Sequence, residues 1–145
     1  MSLFSSLSVS ASGMSAQRTR AELLVENLAN AETTRTPEGG PYRRKDAVFT
    51  RTDVSSEFAS EFESQLNGAG QGVAVDRVTV DERDPERRYA PGHPDADADG
   101  YVKFPRINPA EDMVDLMSSS RSYQANVAAI SAIKDMIQRS IEIVK

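Results

Sequence analysis

Near the end of the chain Leu116, Tyr123, Ile130, Ile137 and Val144 fall seven residues apart, accompanied by Met113, Val127 and Ile141. Near its beginning Leu3, Leu7, Met14, Ala21, Leu24 and Leu28 recur at spacings of three, four or seven. Heptad spacing lets two helices lie side by side over several turns. Between the two seams runs a Gly-, Pro- and charge-rich stretch with little to build a core. This pattern predicts a mainly α fold with a small β-rich insert. Long antiparallel N- and C-terminal helices form its coiled-coil-like core domain, and β-hairpins occupy the centre. The expected divisions are 1–31 for the first helix, 32–107 for the insert and 108–145 for the second helix. A chain closed by its own two ends reads as a building block, not an enzyme.

Composition supports that reading. The chain has 145 residues, enough for one domain, but only 6% aromatics and no Trp, so a large compact core is not expected. The net charge of -5 argues against nucleic acid or anionic lipid as a partner. Cys is absent, which removes disulfides and thiolate metal sites. No apolar run approaches the length that spans a bilayer, so direct membrane insertion is not expected. The first residues, Met1-Ser2-Leu3-Phe4-Ser5-Ser6-Leu7, lack a basic start, a continuous hydrophobic stretch and a cleavage site. They do not read as a standard secretory signal.

The first helix is expected over residues 3–30, weak in its first half because Ser2, Ser5, Ser6, Ser8, Ser10, Ser12, Ser15 and Gly13 are poor helix formers. Their small side chains let a neighbouring helix come close. Ala21, Ser10, Gln17, Ser120 and Lys134 thin the seam further, leaving the lone hairpin marginal, and neighbouring copies would supply the missing burial. An ordinary α+β monomer with a long helical hairpin fits the same pattern.

Thr33, Thr34, Pro37, Gly39, Gly40 and Pro41 break the helical period. Residues 46–50 suit a strand. Val54, Phe58, Phe62 and Leu66 lie four apart, which predicts a brief helix before the connector at 67–72. Val73 and Val75, then Val78 and Val80, sit at period two with a change of inward face. One twisted strand or two short ones with a bulge would fit. Turns are expected at Asp84-Pro85 and Pro91–Pro94, and a strand over 101–104. Asn108, Pro109 and Glu111 form a capping-box start, and no Gly or Pro follows, so the last helix can run to Val144. At 1.5 Å per residue it would span roughly 54 Å.

Candidate chemistry is thin. Asp95-Ala96-Asp97-Ala98-Asp99-Gly100 matches the start of a calcium-binding EF-hand loop, but the twelfth position holds Arg106 where a bidentate Glu is needed. A turn between two strands explains it better. His93 is the single histidine, set between Gly92 and Pro94, so neither a Cys–His dyad nor a His-based zinc site can be built. Arg43-Arg44-Lys45 could meet phosphate, but beside Glu38 and Asp46 it reads as a solvated loop or a partner contact. Glu111, Asp112 and Asp115 lie in the first turns of a helix, where the macrodipole favours them. No catalytic residue, metal site or cofactor is expected.

Asn27-Leu28-Ala29-Asn30-Ala31-Glu32-Thr33-Thr34 resembles the motif that ends the N-terminal helix in the bacterial flagellar axial family, the rod, hook and hook-associated proteins. Glu32 stands where that family commonly has Asn. The run from Arg35 through Pro37-Glu38-Gly39-Gly40-Pro41-Tyr42 to Lys45 narrows the resemblance to proximal rod proteins. Residues Pro91–Val102, Met113-Val114 and Ser120–Val127 agree in order, so the likeness covers nearly the whole chain.

The resemblance implies a structural subunit of the flagellar basal body, exported unfolded by the flagellar type III apparatus and polymerised in the periplasm. Its terminal helices would line a tube around the export channel. Implied partners are further copies and other rod proteins, the rod-to-membrane-ring adaptor, the peptidoglycan-level ring and the export apparatus. Carried onto this chain, the assembly residues are the two seams together with Asn27, Asn30 and Thr33 in the 27–34 turn. Residues 35–45 and the hairpins over 73–104 would reach outward and lock adjacent subunits. The competing reading is a cytosolic coiled-coil adaptor or secretion chaperone that dimerises through the same heptads.

Overall fold

A computed structural model of the protein describes residues 3–53 and 71–143. The chain runs α1 (Leu3–Ala29), β1 (Lys45–Asp53), β2 (Gln71–Val80), β3 (Glu86–Tyr89), β4 (Tyr101–Phe104) and α2 (Pro109–Ile143). The expected brief helix with Val54, Phe58, Phe62 and Leu66 lies outside the described residues, as does Val144. The mainly helical architecture with a small antiparallel insert is as the periodicity predicts.

In α1 several hydroxyls turn back onto the helix. Ser10 donates to the Ser6 carbonyl at 3.0 Å, and Ser12 to that of Val9 at 2.7 Å. This occupies their polar atoms inside the helix. Asn30 ends the helix: its backbone and side-chain N–H groups both donate to the Glu26 carbonyl, at 3.1 and 2.9 Å. The chain then folds into a closed loop. Thr36 N–H donates to Gly40 O at 2.8 Å, and Tyr42 N–H to Thr33 O at 3.0 Å. Gly39 and Gly40 take φ of 93° and 81°, a left-handed backbone that a side chain would strain.

β1 and β2 pair antiparallel, and the register shifts between Val48↔Arg77 and Phe49↔Val75. Asp76 is therefore the extra residue of a bulge, placed where the valine pattern changes parity. The expected strand pair is one bulged strand. The face is not the one that valine periodicity suggests. Gly72 is buried and Ala74 half-buried, whereas Val73, Val78 and Val80 are exposed. The hairpin lies along α1, with Val73 N–H donating to Ser12 Oγ at 3.1 Å. A backbone that close to a helix accepts small residues on the facing side and pushes the valines outward.

β3 has the sequence Glu-Arg-Arg-Tyr, exposed at every position, and carries no apolar alternation that would mark a strand. It pairs antiparallel with β4 in the register Glu86↔Phe104 to Tyr89↔Tyr101. Cross-strand contacts hold it: Arg87 sits 4.9 Å from the centre of the Tyr101 ring, Arg88 5.1 Å from that of Phe104, and Tyr89 packs edge-on against Tyr101. Val102 is 1% exposed, and Pro105 and Ile107 are also buried, so the end of this hairpin anchors it to the body.

Asn108 caps α2, its side-chain oxygen accepting the Ala110 N–H at 3.2 Å. α2 packs against α1 in antiparallel register, with Gly13 beside Asn126, Gln17 bonded to Ser119 and Arg20 paired with Asp115. Among the described elements α1 alone touches both α2 and the β1–β2 hairpin. The register carries the last turns of α2 past Leu3 by about 10 Å.

Candidate assembly interface

The closest line between the helices is made of small and polar groups. Ser119 is buried and donates to Gln17 at its backbone oxygen (2.9 Å) and at Oε1 (3.0 Å). A Cβ on Gly13 would meet Asn126 Nδ2 at 3.2 Å, so the glycine permits the approach. Arg20 pairs with Asp115 at 3.3 Å on the rim. Asp112, Ser119, Asn126 and Ile133 form the inner row of α2, itself spaced by seven.

The expected seam is therefore displaced. Leu116, Ile130 and Ile137 are half-buried and flank the inner row, and Tyr123 is 39% exposed. Met113, Val127 and Ile141, expected to accompany them inside, are exposed by 56%, 41% and 59%. Apart from Ile133 and Leu24, the large apolar side chains sit on the flank of the line of closest backbone approach or beyond it. On α1, Leu24 is buried together with Ala16, which apolar spacing passed over. Leu7, Met14, Ala21 and Leu28 are half-buried, and Leu3 is exposed. A shallow groove of about 540 Å³ runs beside the pair, lined by Gln17, Arg18, Ala21, Leu116, Ser119, Ser120 and Tyr123.

The 27–34 turn is divided. Asn27 is wholly buried and acts as a backbone clamp: Nδ2 donates to Lys45 O at 2.8 Å, while Oδ1 accepts Lys45 N–H at 3.0 Å and the Tyr42 hydroxyl at 3.1 Å. Burial, aided by the nearby Glu26, pushes the Tyr42 phenol up to about 12, so it stays a donor. Asn30 and Thr33 are half-buried, and the Thr33 hydroxyl donates to Asn30 Oδ1 at 3.2 Å. Asn27 thus holds the subunit together, and Asn30 and Thr33 shape the loop that follows.

Arg44 and Asp112 lie far apart in sequence, so no local spacing marks them as a pair. Arg44 reaches from the loop to Asp112 in the first turns of α2 at 3.0 Å and also to Asp46 at 3.1 Å. Burial pushes the Asp112 carboxyl above its ordinary value, although Arg44 opposes the shift.

The calcium-like turn uses its carboxylates internally. Asp97 Oδ1 accepts the Tyr101 and Asp99 N–H groups at 2.8 and 3.1 Å, and its other oxygen takes Arg87 Nη2 at 2.9 Å. Asp95 accepts the Thr34 hydroxyl at 2.7 Å. His93 is a turn residue, as its neighbours predict. Its Nδ1 accepts the Asp95 N–H at 3.1 Å, and its ring packs edge-on to Phe104. Among the described residues, no group of three or more His, Asp or Glu could hold a metal ion, and no helix is long and apolar enough to cross a membrane.

Comparison with known proteins bears on what these surfaces meet. Residues 98–143 match the family model described as "Flagellar basal body rod FlgEFG protein C-terminal". Over its whole length the chain is 45% identical to the whole of the flagellar basal-body rod protein FlgC of Bacillus subtilis. It is 39% identical to FlgC of Borreliella burgdorferi, covering all of this chain and 99% of that one. FlgC of Salmonella typhimurium is 36% identical over 97% of each chain. Agreement at that level from end to end means that the chain belongs to the FlgC family of flagellar basal-body rod proteins.

Proposed function

We propose that this chain polymerises through its paired terminal helices into the periplasmic driveshaft of the flagellum and lines the export channel. Membership of the FlgC family makes it a structural subunit of the basal-body rod. The mode of assembly is supported most by one observation: α2 packs on α1 along a polar line and leaves Met113, Met117, Val127 and Ile141 exposed. An apolar flank on a long helix gains burial only when another subunit covers it. Torque is then shared over many shallow contacts. The chain acts as scaffold and carries out no catalysis.

Its neighbours are further copies and other rod proteins, with the rod-to-membrane-ring adaptor, the peptidoglycan-level ring and the export apparatus as further contacts. Assembly residues are the flank of α2, Leu3 and the half-buried Leu7, Met14, Ala21 and Leu28 of α1, and the rim of the loop at Asn30 and Thr33. The relatives named above are rod proteins, so they lend no support to a cytosolic adaptor or secretion chaperone. Fractionation of flagellated cells tests the reading. The chain should copurify with basal bodies, and its deletion should stop rod completion. A chain found wholly in the cytosol would contradict it.

A further inference from the structure

The second hairpin carries opposite charge at its two ends. At the Glu86/Phe104 end a cleft of about 300 Å³ opens between the segment containing Gly39, Gly40 and Arg43, the turn at Asp81–Pro85, and Lys103 with Arg106. Of its two acids one is neutralised. Arg83 bonds both carboxylate oxygens of Asp81 and holds that group down at about 2 against the opposing effect of burial, and Asp84 is exposed. The cations are not. Arg43 donates to the Asp81 carbonyl at 3.1 Å, which is a neutral partner. Lys103 and Arg106 are exposed, and among the described residues none of these three makes an ion pair. Gly39 and Gly40 have nothing within 4 Å of where a Cβ would lie, so the rim is open backbone.

At the Tyr89/Tyr101 end, about 10 Å away at the rise of a strand, stands the turn from Asp95 to Asp99. Asp97 is paired with Arg87. Asp95 and Asp99 are exposed, and among the described residues neither is paired with a cation.

We propose that the Arg43/Lys103/Arg106 cleft of one copy receives the Asp95–Asp99 turn of the next copy. Poles of opposite sign on one rigid hairpin make a head-to-tail contact, which joins a surface to a different surface. Such contacts close into rings or continue as helical filaments. Three cations facing two carboxylates, none of the five in an ion pair among the described residues, set the pairing and penalise like-with-like approach. This assignment rests on the reading of the chain as a rod subunit, and it gives that subunit a lateral partner and a direction.

The natural chain has no Cys, so introduced thiols report contacts without background. Chains carrying Lys103→Cys and chains carrying Asp99→Cys are co-expressed at full length, so that no chain holds both thiols, and basal bodies are treated with a thiol-reactive bis-maleimide. A cross-linked dimer is expected from the mixture and monomers from either variant alone. A charge swap provides the second arm. Lys103→Glu with Arg106→Glu, and separately Asp95→Lys with Asp99→Lys, should each cut the number of completed rods by about tenfold. The quadruple variant should recover to within about twofold, the non-additivity of directly coupled sites. All four side chains are exposed, and an unchanged circular dichroism spectrum confirms the fold of each variant. Monomers alone from the mixture, dimers from either variant alone, or a quadruple variant worse than both parents would overturn the pairing. A chain present in basal bodies without the cross-linked dimer removes this contact and leaves the rod reading standing. A chain absent from basal bodies removes both.

Discussion

Asp112 and Arg44 meet at 3.0 Å, yet both Asp112 oxygens are shut away from solvent and neither receives a well-aligned hydrogen bond from the described residues. Arg44 is less enclosed and shares itself with Asp46. Its pairing with Asp112 ties the loop after α1 to the start of α2 at the cost of a desolvated carboxylate.

That cost makes the two partners unequal. Asp112→Asn should be neutral or stabilising by up to about 1 kcal/mol, because it removes the buried charge and leaves Arg44 its second partner. Arg44→Met should destabilise by about 3 kcal/mol, because it strands the carboxylate. Urea unfolding of the two variants decides the order, and the reverse order contradicts the account.

The pH dependence has two opposed sources. The Asp112 carboxyl is raised by burial, so the folded state holds its proton more tightly than the unfolded chain. Its penalty is present at neutral pH and fades as pH falls through the raised value. Asp81, lowered to about 2, acts oppositely: its support is intact above its ordinary range near 4 and is lost as pH falls toward 2. The stability difference between Asp112→Asn and the parent should therefore shrink on acidification from pH 7. Asp81→Asn should flatten the parent's loss of stability between pH 4 and 2. Thermal melts across that range measure both.

Asn27→Ala removes three hydrogen bonds at a wholly buried site and leaves the Lys45 N–H and C=O and the Tyr42 hydroxyl unpaired. A loss of about 2–4 kcal/mol is expected. Asn27→Asp should not rescue it, since a carboxylate cannot donate to the Lys45 carbonyl. Chemical denaturation of either variant at parental stability would remove the clamp from the account.

Asn27 also shows where sequence reading stops. Its place in the motif that ends α1 was legible, but its service to the subunit interior depends on β1 arriving beside it. The two long helices were legible because their apolar period and the Asn108-Pro109 start are local signals. The inner row was not, because Asp112, Ser119, Asn126 and Ile133 mix charge, hydroxyl, amide and alkyl, and a search for apolar heptads passes over them. The same bias turned β2 the wrong way: Gly72 and Ala74 carry no hydrophobic signal, yet they lie against α1. β3 is all charge and ring, and only its partners Tyr101 and Phe104 reveal it as a strand. For the inner row and for β2, closeness of backbones, not hydrophobicity, chose the inward face.

The two sides of α2 should separate folding from assembly. Ile133→Asp buries a charge where only 7% of the residue is exposed and should cost several kcal/mol of fold stability. Met113→Asp and Val127→Asp touch exposed positions and should change stability by no more than about 0.5 kcal/mol. All three should abolish swimming, but only the latter two should leave a parental melting curve. Motile cells carrying Met113→Asp with Val127→Asp would count against the flank as an interface.

The central claim, that the outer flank of α2 is covered by neighbouring subunits, is tested most directly by imaging purified basal bodies at side-chain resolution. Met113, Val127 and Ile141 should lie buried against helices of adjacent subunits, with Ser119 still bonded to Gln17 within its own chain. Those three side chains facing open solvent in the finished rod would contradict it.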